Sequence, residues 1–547
     1  MIESFPIDPI CRHNDADKPG ITAYGKRFFG DQQILDLLAE FLLVLCSDKQ
    51  LIKYKIDKYI PSIEILNQWV TLPEVISYFP KARLNLKLFS FIGASDLETR
   101  HPAHREHAIE LWENLGEKTD LSTDKEKMQF IKTLNQLFLG FWGNGSRRTW
   151  CAQTFFPFCK TALCSEVIWS DTNARKDHIM SWSDIESDKF SNYFRQSQNV
   201  IFCKGGEALY LHVCNALTID NSNINLWINN HRVSSCCLGF TEIERNKEKL
   251  RDVLISDLDG FFSQTPKMLE YLMEFVDTGV DDKTAEKSDF DNIHNPRGIQ
   301  CAWIPRESWR EGYIFSVELH RVLSAKIGLI EKINLLQTCC ALQVMRTLAA
   351  QSYRLSQTKG GAEDGFDYRI FLCEPSAQNR KLRSLSAQSH TEIAREIQQA
   401  IRVPEIYNCL VNTVEPSKIE SQYKQADNQY GFKLYRKIGK ALGLIVPPKG
   451  GQMRYTLNDR LLKYLIVSTL PGQRMTLDSF KKQVELHHGF VFDPEQLSVS
   501  RNWANTHLES LENNEGWLER MLEASGVLVK LSDACSLVKN PYAAQKI

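Results

Sequence analysis

The feature that most constrains this chain is a helical periodicity running from about Phe315 to Leu355. Apolar side chains at Leu323, Ile327, Ile330, Ile333, Leu336, Leu342, Met345 and Leu348 recur mostly at steps of three or four. That spacing lines one face of an α-helix, and a stripe this long must be covered by other elements. The chain can supply the cover, because 43% of its 547 residues are hydrophobic and 24% are charged. At roughly 100–200 residues per domain the length allows about three to five domains. The same composition excludes a disordered tail, a collagen-like fibre and a small disulfide scaffold.

Helical spacing recurs at residues 30–47, through Ile34, Leu35, Leu37, Leu38, Phe41 and Leu42, and at 127–142, through Met128, Phe130, Ile131, Leu134, Leu137 and Phe138. Short apolar runs at Glu166–Trp169, Asn199–Cys203 and Leu226–Ile228 add strand character. The expected class is therefore an α-rich α+β multidomain chain with a mixed N-terminal half, a helical middle and tandem winged-helix-like C-terminal units. The segments are 1–276, an acidic linker or loop at 277–298, a helical middle at 299–430, a helix and wing at 431–457 completing a basic unit, and an acidic unit at 458–547.

The C-terminal reading rests on element order. Leu434, Ile438, Ala441 and Leu442 share a helical face that Gly443 closes. Leu444-Ile445-Val446, a Pro-Pro-Lys-Gly-Gly turn and Met453–Leu457 then form a wing. Asp459–Leu470 and Leu477–His488 read as helices, the latter capped by Thr476. A third helix spans Asn505–Ser525, followed by a hairpin of Val527–Leu531 and Cys535–Lys539.

Charge sharpens the division. With 66 Lys+Arg against 67 Asp+Glu the net charge is −1, so no overall positive field coats nucleic acid. Locally, Gly431–Arg460 holds seven basic residues against Asp459, a net of +6. Lys433, Lys437 and Lys440 fall at i, i+4 and i+7 with Arg436 beside them, and Lys449 and Arg454 lie on the wing. Such cations neutralise phosphates, which makes these six the candidate nucleic-acid-binding residues and DNA the expected partner. Their bland alternative is a solvated helix face. From Asn505 to Ala524 five glutamates face Arg520 alone, a net of −4. Phosphate repels that helix, so it is read as protein-contacting or structural.

Chemical motifs are sparse, and no catalytic residue is assigned. Gly431–Lys440 has seven residues between its glycines, where a phosphate-cradling loop needs four. Phe202–Glu207 is a tight turn into a helix, and its Gly205-Gly206 pair could admit an anion at the helix N-terminus. His101, His104 and His107 sweep too wide an arc for chelation. Cys151, Cys159, Cys164 and Cys203 are a minor candidate zinc set. Their spacing lacks the two-to-four-residue knuckle, and core thiols are the preferred reading. No cofactor is expected. A metal-dependent nuclease hidden in the N-terminal half, around Cys151–Cys203, and a pure protein-binding scaffold are the alternatives. Met1–Pro6 begins no signal peptide and no run reaches 18 uncharged apolar residues, so a soluble cytoplasmic protein without membrane contact is expected.

Residues 441–448 through Tyr455-Thr456-Leu457, together with Leu531–Cys535 through Val538–Tyr542, resemble C-terminal modules of bacterial defence-island proteins. Among these the chain is most similar to an accessory, non-helicase component of Druantia-type antiphage systems. The resemblance covers about 115 of the residues and contributes no catalytic position. It implies a non-enzymatic role against phage DNA beside a large helicase.

Overall fold

The computed structural model describes residues 2–7, 15, 17–26, 28, 33–51, 54–56, 59–72, 76–80, 101–139, 157–163, 167–185, 190–196, 205–230, 239–277, 299–356, 366, 368–377, 379–499, 516–532 and 535–543. The long periodic stretch is two helices, Trp309–Ser324 and Leu329–Ser356. They part at Ala325–Gly328, where the Lys332 ammonium donates to the Leu323 carbonyl at 2.5 Å and so caps the first helix.

Almost every residue of the second helix from Lys332 to Tyr353 is buried. The periodic leucines explain one face only. The other faces carry Cys339, Cys340, Ala341, Ala349 and Ala350, side chains small enough for neighbouring helices to close over. Trp309–Ser324, Ile34–Cys46, Arg380–Ala400 and Asp459–Thr469 all pack against it. Trp309–Ser324 in turn lies on Gly205–Leu217. That approach is close enough that a Cβ on Gly312 would stand 2.1 Å from the His212 carbonyl oxygen.

The β content is six small sheets among the described residues. The largest has four strands, in the order Tyr54–Ile56, Asp48–Leu51, Ser77–Phe79, Ile299–Gln300, all antiparallel. Val167–Trp169 pairs with Phe194–Gln196, as the apolar run there suggests. Leu226–Ile228 instead lies within the helix Asn221–Asn230. A three-residue apolar run is too short for its period to separate strand from helix.

In the C-terminal third, Pro416–Ala426, a π-helical stretch Asp427–Arg436 and Lys437–Ala441 run on as one rod. Gly443 follows at φ +70°. Ile445–Val446 then pairs antiparallel with Arg454–Tyr455. This short hairpin is clipped to Arg380–Ala400, since Ser386 Oγ accepts from Tyr455 N at 2.7 Å and donates to Tyr455 O at 2.8 Å.

The remaining order is helix Asp459–Thr469, strand Arg474–Thr476, helix Leu477–His488, strand Phe490–Val491, which pairs in parallel with Ile370–Phe371, the 3-10 turn Pro494–Val499, helix Trp517–Ala524, and hairpin Leu528–Ser532 with Cys535–Lys539. Arg474–Thr476 pairs with the second hairpin strand, giving a three-stranded antiparallel sheet. Thr476 caps the Leu477–His488 helix, its side chain accepting from Ser479 N. Gly489 ends that helix in the left-handed region at φ +67°.

Buried side chains from Phe5 to Val538 form one continuous apolar cluster drawn from both sides of residues 277–298, to which the described residues within 101–139 and 167–196 contribute none. Phe371, Cys373, Leu382, Leu385, Val491 and Leu497 form a smaller second one. Among the described residues no helix is long and apolar enough to cross a membrane.

Candidate functional site

The six cations chosen from sequence lie along the outer face of the rod and its hairpin. Tyr430, Leu434, Tyr435, Ile438, Gly439 and Leu442 turn inward, which leaves Lys433 and Lys437 exposed and Arg436 and Lys440 half-buried. Ala441, assigned from sequence to the buried face, is exposed. The wider π turn carries the apolar stripe toward Tyr435 and Gly439, away from Ala441. Lys449 is exposed in the hairpin turn and Arg454 half-buried on its second strand.

Arg436 and Lys440 crowd His390, which burial first and then these two cations push down to about 4. The His390 ring lies 5.7 Å from that of Tyr455, the residue after Arg454. Arg454 itself points elsewhere, its Nη2 donating to the Pro375 carbonyl at 3.4 Å. None of the six forms an ion pair with a carboxylate among the described residues, and the Nε atoms of Arg436 and Arg454 have no hydrogen-bond partner. Arg460, the seventh basic residue of the segment, is used internally: it donates to Thr338 Oγ1 and to the Asn334 carbonyl, both at 3.0 Å.

A second polar centre, which the sequence reading missed, lies in the core. Glu318, Arg346, Tyr464, His487 and His488 come from four helices and are at most 2% exposed. Glu318 Oε2 accepts from Arg346 Nη2 at 2.6 Å and from the Tyr464 hydroxyl at 2.9 Å. Its Oε1 accepts from His487 Nδ1 at 2.9 Å, and His488 Nε2 lies 3.1 Å away. Burial alone would raise the Glu318 carboxyl, but the Arg346 guanidinium and the imidazoles outweigh it and hold the group well below its usual range. Burial pushes His487 down to about 4 against the pull of Glu318.

Two imidazoles and a carboxylate within 4.8 Å of one another are a possible donor set for a divalent metal. The charge argues for another use. Glu318 and Arg346 already cancel, and an added dication would bring uncompensated charge into a site removed from water, a cost of several kcal/mol per ion. The centre reads as a paired, hydrogen-bonded tie between helices. The only sequence hint of it was the adjacent His487-His488 pair, because its members are spread over 171 positions.

Other sequence candidates resolve as local structure. His101 is the N-cap of Pro102–Glu117 and its Nδ1 accepts from Ala103 N. The N-terminus of Gly205–Leu217 receives a carboxylate of the protein itself, Gly206 N donating to Glu40 at 2.9 Å. Cys159 is buried beside Thr161, while Cys151, Cys164 and Cys203 lie outside the described residues. So do the linker at 278–298 and residues 505–515 of the acidic stretch. The nine described cysteines are free of disulfides.

No protein-family model, curated protein or solved structure matches this chain.

Proposed function

We propose that this chain is a non-enzymatic, nucleic-acid-associated subunit that grips a phosphate backbone with Lys433, Arg436, Lys437, Lys440, Lys449 and Arg454. One observation carries the reading: six cations from two adjoining elements lack carboxylate partners, whereas arginines in the core are paired, as Arg321 is with Glu244 and Arg346 with Glu318. Arg454 also gives Nη2 to the Pro375 carbonyl at 3.4 Å, but cations without carboxylate partners keep their charge available to displace counterions from phosphates.

The C-terminal residues 458–547 are read as a winged-helix-like unit. What supports this is the succession of three helices and a closing hairpin, with the strand Arg474–Thr476 beside the last hairpin strand; a short strand, Phe490–Val491, and a 3-10 turn intervene before the third helix. Its acidic third helix, with Glu519 and Glu523 in the described part, suits a protein partner better than a phosphate backbone. Set beside the resemblance to Druantia-type accessory components, the reading makes the chain a cytoplasmic subunit of a bacterial antiphage complex, acting on phage DNA next to a large helicase.

The test is a binding titration against labelled nucleic acid at several salt concentrations. Replacing Lys433, Lys437 and Lys440 together with Ala is expected to weaken binding about 10- to 100-fold and to lower the salt slope by about 2 to 3. Equal affinity and slope for wild type and variant would overturn the assignment.

A further inference from the structure

Resting on the reading above, a second property of the same rod bears on which form of nucleic acid it takes. Asp427–Arg436 is a ten-residue π-helical stretch, a rare geometry that in most proteins spans a single turn and often marks a functional site. Here its inner side is clamped. The Tyr430 ring packs on the ring of Tyr24 with centroids 4.9 Å apart and lies directly over Gly20, where a Cβ would come within 2.0 Å of it. Gln429 Nε2 donates to the Phe28 carbonyl at 3.0 Å, and the hydroxyls of Tyr435 and Tyr455 meet at 2.9 Å.

The outer side is left open. It carries Phe432, 55% exposed, beside Lys433 and Lys437, with the Arg436 guanidinium 5.9 Å from the Phe432 ring centroid. The ring is a large aromatic more than half exposed beside cations without carboxylate partners, and among the described residues it belongs to no buried apolar cluster. A duplex offers such a ring little, since its bases are already stacked on one another. An unpaired base offers a free π-face, and base–aromatic stacking beside phosphate-binding cations is how sequence-tolerant single-strand sites are built.

We propose that the Phe432 face is a single-stranded nucleic-acid site, in which the ring stacks on an unpaired base while Lys433, Arg436 and Lys437 hold the flanking phosphates.

The experiment uses the full chain and fluorescence anisotropy with an oligo-dT strand of about 16 nucleotides and a duplex of equal length, each across a salt series. Wild type is expected to bind oligo-dT more tightly than the duplex. Phe432→Ala should weaken oligo-dT binding about 5- to 150-fold, the usual worth of one stacked base, with an unchanged salt slope. Phe432→Trp should preserve it. Lys433→Ala should lower the slope on oligo-dT by about 0.7. If Phe432→Ala leaves oligo-dT affinity intact while the triple lysine variant loses it, the single-strand proposal fails and the phosphate grip stands. Equal losses on strand and duplex, or a preference for duplex, also defeat it. Binding to neither probe overturns the phosphate grip itself.

Discussion

The outer face of the rod and the Glu318 centre use the same chemistry in opposite ways. In the core, Arg346 gives Nη2 to the Glu318 carboxylate, though its Nε and Nη1 find no partner among the described residues, and Arg321 gives Nε and Nη2 to Glu244 and Nη1 to the Ser468 carbonyl. On the rod, Lys433, Arg436, Lys437 and Lys440 stand together with no carboxylate to answer them. A buried charge must be paired because its desolvation costs several kcal/mol, whereas an exposed one is free to wait for a ligand. Pairing therefore separates cations that hold the fold from cations available for binding.

The largest expected effect breaks the core side of this contrast. Glu318→Ala leaves Arg346 charged and alone in the interior, and should cost about 3–5 kcal/mol in urea unfolding. Replacing both partners with apolar residues, Glu318→Leu with Arg346→Met, should recover much of that loss, which separates the worth of the pair from the penalty of an orphan.

Acid probes both regions through their buried histidines, His487 in the Glu318 centre and His390 beside the rod, with His212 on the helix Gly205–Leu217. Burial holds His212 at about 3 and His390 and His487 at about 4, below the 6.5 of an unfolded histidine. As pH falls below 6.5 the unfolded chain takes up protons that the folded chain refuses, so stability declines. The slope is about 1.4 kcal/mol per pH unit for each such ring, and the loss is complete below the folded values. The urea midpoint should therefore drop between pH 7 and pH 5, before the carboxylates begin to titrate. A level midpoint across that range would contradict the neutral, buried state of these rings.

A smaller effect is expected at Asn458, where rod and C-terminal unit join. Its Oδ1 accepts from Leu461 N and its Nδ2 donates to the Leu442 carbonyl, both at 2.8 Å. Asn458→Ala removes a helix cap and a tie together and should cost about 1–2 kcal/mol. The smallest effect is on the rod: the triple Lys433, Lys437, Lys440 variant should leave the urea midpoint where it was, while changing nucleic-acid binding. A large drop in stability would mean that these lysines serve the fold.

Much of the local structure was legible in the sequence, because it depends on signals carried by near neighbours. Thr476 at the start and Gly489 just past the end bound the Leu477–His488 helix, and Gly443 and the Pro-Pro-Lys-Gly-Gly turn set the end of the rod and its hairpin. The run of basic residues from Lys433 to Arg454 was legible the same way, since it is a matter of composition along the chain. Where the sequence signal was weak, as in the three-residue run Leu226–Ile228, the neighbouring helix decided.

What the sequence determined by itself is therefore the placement of its helices and the segregation of its charge, both products of spacing over a few residues. Only the tertiary structure decided which charges are consumed. Glu318 meets Arg346 and His487 across 28 and 169 positions, and Arg460, though exposed, is tied to Thr338 and Asn334 while Lys433, also exposed, has no carboxylate partner among the described residues. The same holds for the π turn that places Phe432 outward: it is held by Tyr430 against Gly20 and Tyr24, more than 400 residues away. Such pairings follow from which surfaces the core brings together, and no local pattern encodes them.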